Sequence, residues 1–105
     1  EQANVIARPI ENPPKNELLL QTHLDTVDAG SYALWTRTGA NPFNASIYQG
    51  ALYGLGAADT KLDFLCKLKA VEELGRRDWR LPWALLGTYG EELGMGGAIK
   101  AIRKK

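Results

Sequence analysis

Apolar positions fall along the chain in short blocks, and their spacing alternates between strand-like and helix-like periods. Residues 4–10 (NVIARPI) read as a strand that stops near Pro9. Asn12-Pro13-Pro14-Lys15-Asn16 follows as a turn, because proline has no amide to give a ladder and asparagine favours turns. Leu18-Leu19-Leu20 is a continuous apolar run of the kind found in buried strands, and it leads into Gln21-Thr22-His23-Leu24-Asp25. These two segments are expected to pair as neighbours across the polar loop. Residues 28–46 carry Gly, Asn, Pro and Thr without a period and predict a loop, anchored through Trp35 and Phe43. Ile47-Tyr48, Gln49-Gly50 and Ala51-Leu52-Tyr53 have the layout of a small hairpin.

Beyond the glycine-rich stretch Gly54-Leu55-Gly56-Ala57-Ala58 the period changes, and residues 62–77, rich in Leu, Lys, Glu and Ala, predict a helix. Its apolar residues make two sides. Phe64, Leu65, Leu68 and Val71 lie on one, and Leu62, Cys66 and Ala70 on the other. A helix apolar on two sides needs cover on both, which a chain of 105 residues is not expected to supply. Trp83-Ala84-Leu85-Leu86-Gly87-Thr88-Tyr89 is a second apolar strand, ending at Gly90-Glu91-Glu92. A glycine-rich bend at residues 94–97 and a helix over residues 98–105 complete the pass. Strands alternate with helices, so the expected class is α/β, with a central mixed sheet and flanking helices.

Composition narrows the function classes. With 13 basic and 12 acidic residues the formal net charge is +1, which gives no field for nucleic acid. The one basic cluster, Arg103-Lys104-Lys105, suits the negative end of a helix dipole. A single cysteine, Cys66, excludes an internal disulfide and a CxxC site and fits a cytoplasmic setting. No apolar run has the length of a membrane span, and residues 1–20 lack the basic-then-apolar pattern of a secretion signal. The chain opens Glu1-Gln2 without methionine and is expected to be processed or part of something longer.

Three short motifs carry candidate chemistry. His23 and Asp25 stand two apart, and on an extended strand both point to one side, where the carboxylate can hold the second ring N–H of a metal-ligating histidine. The competing explanation is a surface histidine beside an unrelated aspartate. Asp59 lies between a glycine-rich loop and a helix, so taken alone its default explanation is a helix cap. The loop is no phosphate cradle. The dinucleotide pattern would need glycine at Asp59, and a P-loop would need Gly-Lys-Ser/Thr. Glu91 and Glu92 are adjacent carboxylates at a strand end, a costly arrangement unless a cation lies between them or their pKa values separate. One could bind a metal while the other faces water. A pair of solvated loop glutamates is the plain alternative.

The order of the motifs is more specific than any one of them. Thr22-His23-Leu24-Asp25-Thr26-Val27, the segment from Tyr53 to Lys61 and the segment from Thr88 to Ala98 together resemble a zinc peptidase family. That family includes acetylornithine deacetylase, succinyl-diaminopimelate desuccinylase, aminoacylase and glutamate carboxypeptidase, and the likeness runs from Leu18 onward. It implies a phosphorylase/hydrolase-like catalytic domain of which residues 1–105 are the N-terminal portion. It implies metal ligands at His23, Asp59 (bridging two ions) and Glu92, a general base at Glu91 and an orienting partner at Asp25. Two Zn2+ ions, or Co2+, are the implied cofactors. Amide hydrolysis of N-acyl amino acids or short peptides is the implied reaction, with a homodimer in the full-length form.

Two departures stand out. Leu62 replaces the glycine usual after the Asp-x-Lys motif, and Gly90 replaces a residue that is often polar. The family site also takes a further acidic ligand and a second histidine, and this chain contains one histidine in all. The missing C-terminal part is therefore the expected partner, and the isolated chain is expected to be inactive. The alternative is a truncated, non-catalytic module that keeps the fold and binds metal weakly at most.

Overall fold

The computed structural model describes residues 2–9, 15–77 and 82–103. Three sequence expectations lie outside these residues: the end of the first segment at Ile10, the Asn12-Pro13-Pro14 part of the turn, and the last two residues of the basic tail.

Three strands form a mixed sheet in the order β1 (Val5–Ala7), β5 (Trp83–Thr88), β2 (Leu18–His23). Strand β5 runs antiparallel to β1 and parallel to β2, with Leu20 opposite Leu85 and His23 opposite Thr88. The first two segments are therefore not neighbours, as their closeness in sequence suggests; β5 separates them. The reason is apolarity on both faces. Residues 84–88 are all buried, so this run takes the centre. The expectation that Leu18-Leu19-Leu20 is buried also fails. Leu18 and Leu19 are 54% and 53% exposed, because β2 has one strand partner among the described residues.

Helix α1 (Leu62–Arg76) lies against the C-terminal half of β2 and against β5. It covers the sheet with Phe64, Lys67, Val71 and Leu74, spaced three or four apart. Gly87 makes that approach possible: a Cβ there would meet Leu24 Cδ1 at 2.5 Å and Phe64 Cε2 at 3.6 Å. Leu62, Leu65, Cys66 and Leu68 stay exposed, so one apolar side of the helix is open as expected. The division differs, however, since Leu65 and Leu68 fall on the open side and Phe64 and Val71 on the covered one. The short helix α2 (Gly96–Arg103) reaches the opposite part of the sheet. Asn4 Nδ2 donates to Gly97 O at 2.8 Å and ties it to the start of β1.

Residues 28–45 form a loop with two single turns of 3-10 helix, at Tyr32–Leu34 and Thr36–Thr38. Trp35 is half-buried and donates from Nε1 to Ala29 O at 2.8 Å, a bond within the loop itself. Phe43 does not anchor the loop, being 69% exposed and in edge contact with Tyr32. The hairpin is present as β3 (Ser46–Tyr48) and β4 (Ala51–Tyr53), and Gln49 and Gly50 turn it at φ 49° and 77°. Among the described residues no helix is long and apolar enough to cross a membrane.

Candidate metal centre

The site collects at the C-terminal ends of the two parallel strands, where loops leave the sheet and helices begin. His23 is the last residue of β2. Opposite it, β5 ends at Thr88, and Gly90 (φ 69°) reverses the chain so that Glu91 and Glu92 come back over the sheet edge. A non-glycine residue pays to adopt such a φ. Asp59 arrives from the third direction, on the wide turn Ala57–Lys61 that precedes α1. Gly56 opens that turn at φ 76°, and a Cβ there would meet Thr26 Cγ2 at 2.6 Å.

One ligand atom each from His23, Asp59 and Glu92 lies within 4.8 Å of the others. His23 Nε2 is 3.0 Å from Asp59 Oδ1 and 4.0 Å from Glu91 Oε2. The imidazole is only 12% exposed, while the side chains of Asp59 and Glu91 are 74% and 45% exposed. A half-sunk nitrogen facing open carboxylates suits an ion entering from solvent. Asp59 does not cap α1: the helix start has no side-chain cap, and the carboxylate turns to His23 instead. The peptide between Asp59 and Thr60 is cis.

Asp25 does more than its spacing suggests. Its backbone carbonyl is the acceptor nearest His23 Nδ1, at 3.2 Å, and its carboxylate is farther off at 3.6 Å. The strand has ended by then, so the expected i, i+2 alignment is bent. The carboxylate instead accepts the backbone amides of Glu91 (to Oδ1) and Glu92 (to Oδ2), both at 3.3 Å. Burial pushes its carboxyl up, but the amides of Glu91, of Asp25 itself and of Glu92, with the His23 charge, outweigh this. The net position is below the ordinary aspartate value. One carboxylate thus ties the histidine loop to the glutamate loop, a link between residues 66 and 67 apart that local spacing cannot show.

Thr60 was not singled out by the sequence, yet its hydroxyl donates to His23 O at 2.8 Å and joins the Asp59 turn to the end of β2. Beside the imidazole a cleft of ≈ 330 Å³ opens, with Gln21, Thr60, Thr88, Glu91 and Met95 in its walls.

A nitrogen and two carboxylate oxygens form a donor set for a borderline divalent ion such as zinc. Separations between 3.0 and 4.8 Å bracket what ligands held roughly 2.0–2.2 Å from a tetrahedral ion require. Three groups of this kind, gathered this closely, can serve one metal ion. The family description peptidase family M20/M25/M40 matches residues 19–105, and the chain belongs to this family of peptidases. The resemblance drawn from its three motifs therefore holds. No solved structure matches the chain significantly.

Proposed function

We propose that this chain carries the metal-binding part of a zinc-dependent amidohydrolase that cleaves N-acyl amino acids or short peptides. His23, Asp59 and Glu92 are the ligands in this reading and Glu91 is the general base. The observation that carries it is the meeting of three donor atoms from distant parts of the sequence within 4.8 Å. A divalent ion held by His23, Asp59 and Glu92 would supply Lewis acidity, lowering the pKa of a bound water and polarising an amide carbonyl.

The chain's own residues do the rest. Glu91 Oε2, 4.0 Å from His23 Nε2, stands at the rim of the ligand set and is half exposed, so it can accept the proton of an attacking water. It then returns that proton to the leaving amine. Asp25 fixes where Glu91 starts, through the backbone amide. His23 is oriented by its Nδ1 contact with Asp25 O, which presents Nε2 to the ion.

His23, Asp59 and Glu92 supply the protein ligands of one ion, and a second ion bridged by Asp59 would need further ligands. We therefore propose that residues 1–105 are the N-terminal portion of a larger catalytic domain that adds an acidic ligand and a second histidine. On this account the 105-residue chain binds zinc weakly and hydrolyses nothing, whereas a longer form is active. Glu91→Gln in that longer form should abolish hydrolysis of an N-acetyl amino acid while zinc content stays at the parent level. Chelator-sensitive hydrolysis by the 105-residue chain alone would contradict the shared site. Zinc binding without hydrolysis in every longer form would leave a binding module.

A further inference from the structure

Two of the proposed ligands, His23 and Asp59, belong to different elements, so their separation depends on how α1 sits on β2. Next to the site a polar cluster joins these elements. Thr22, 4% exposed and immediately before His23, donates its hydroxyl to Asp63 Oδ2 in the first turn of α1. Lys67, one turn on, donates to Thr22 Oγ1 and to Gln21 O, both at 2.7 Å, and pairs with Asp63 Oδ2 at 2.5 Å. The Lys67–Asp63 pair alone is an i, i+4 contact on a half-exposed helix face, and such pairs contribute little. An acid in the first turn also suits the helix dipole, but that does not require it to face the sheet. The buried hydroxyl between the two charges makes the cluster directional. It fixes which turn of α1 meets which residue of β2.

On the reading that His23 and Asp59 bind metal, we infer that Thr22, Asp63 and Lys67 are positioning residues for that pair. None of the three hydrogen-bonds a ligand side chain. Thr60 ties the Asp59 turn to His23 O from one side, and the cluster ties the start of α1 to residue 22 from the other. With both ties in place, the 3.0 Å approach of His23 Nε2 to Asp59 Oδ1 is held before any ion arrives. Without the cluster, α1 can slide on the apolar contacts of Phe64 and Leu24, and the ligand pair loosens.

The test is zinc affinity of the chain by competition with a chromophoric chelator, together with its cobalt(II) visible spectrum and the melting temperature of the metal-free form. Thr22→Val keeps the shape and removes the hydroxyl, Thr22→Ser keeps the hydroxyl, and Asp63→Ala removes the acceptor. Glu72→Ala is the control, breaking ion pairs to Lys69 and Arg76 near the far end of the same helix. Thr22→Val and Asp63→Ala should each weaken zinc binding by ~10-fold or more and alter the cobalt spectrum, the size usual for groups that support metal ligands. Thr22→Ser and Glu72→Ala should bind as the parent does. Unchanged zinc affinity in Thr22→Val, or an equal loss in Glu72→Ala, would overturn the inference and leave the ligand assignment standing. Should Asp63→Ala fail to fold, the isosteric Thr22→Val decides. Absence of zinc binding by the parent chain would overturn both.

Discussion

Replacing Asp25 by alanine removes the acceptor of two amides that define the Glu91-Glu92 turn. Hydrogen bonds to a charged group contribute about 1.5–3 kcal/mol each. Both contacts are 3.3 Å, long against the usual N–H···O distance, and the side chain is 23% exposed. The low end of the range, with some discount for solvent, gives roughly 2 kcal/mol for the pair. In a chain of this size that is a fall in melting temperature of roughly 8–16 °C, followed by far-UV circular dichroism. Asp25→Asn keeps one acceptor oxygen and should lose about half as much.

The pH dependence has a definite sign. The folded carboxyl lies below the ordinary value of 3.8, so its contribution is complete above that value and is lost as pH falls through the folded pKa. The gap between the parent and Asp25→Asn should therefore be full at neutral pH and close in acid below 3.8. An Asp25→Ala chain melting within about 1 °C of the parent would refute the link between the two loops. So would a gap that widened as pH fell.

Leu85→Ala truncates a side chain 3% exposed in the central strand and should cost about 2–5 kcal/mol in urea unfolding. Gly97→Ala sets a Cβ 2.6 Å from Tyr89 N and 2.5 Å from Tyr89 O, backbone atoms with no room to yield, and should cost about 1–3 kcal/mol or displace α2. Either variant unfolding at the parent's midpoint would show the corresponding packing to be wrong.

Local pattern served well wherever one segment decides its own structure. The 15-residue helix, the hairpin turned by Gln49-Gly50 and the buried run of β5 were all legible, because period and turn chemistry are local properties. Strand order was not. β2 and β1 are close in sequence, yet β5 is the run that tolerates neighbours on both sides, and only competition among the three segments reveals it. The same limit applies to the site. The order of their motifs singles out His23, Asp59 and Glu92, which the fold brings together. The ties that hold them, Asp25 to two amides and Thr60 to a carbonyl, join residues 37 to 67 apart and have no local signature. Asp63 and Lys67 read as an ordinary i, i+4 pair until Thr22 is placed beneath them.

Zinc titration of the chain against a chromophoric chelator asks whether His23, Asp59 and Glu92 hold one metal together. The expected result is saturable binding of one ion, weakened at least ~10-fold by alanine at any of the three positions, with Glu91→Gln binding as the parent does. No binding by the parent would contradict it, as would binding that survives His23→Ala, Asp59→Ala and Glu92→Ala alike.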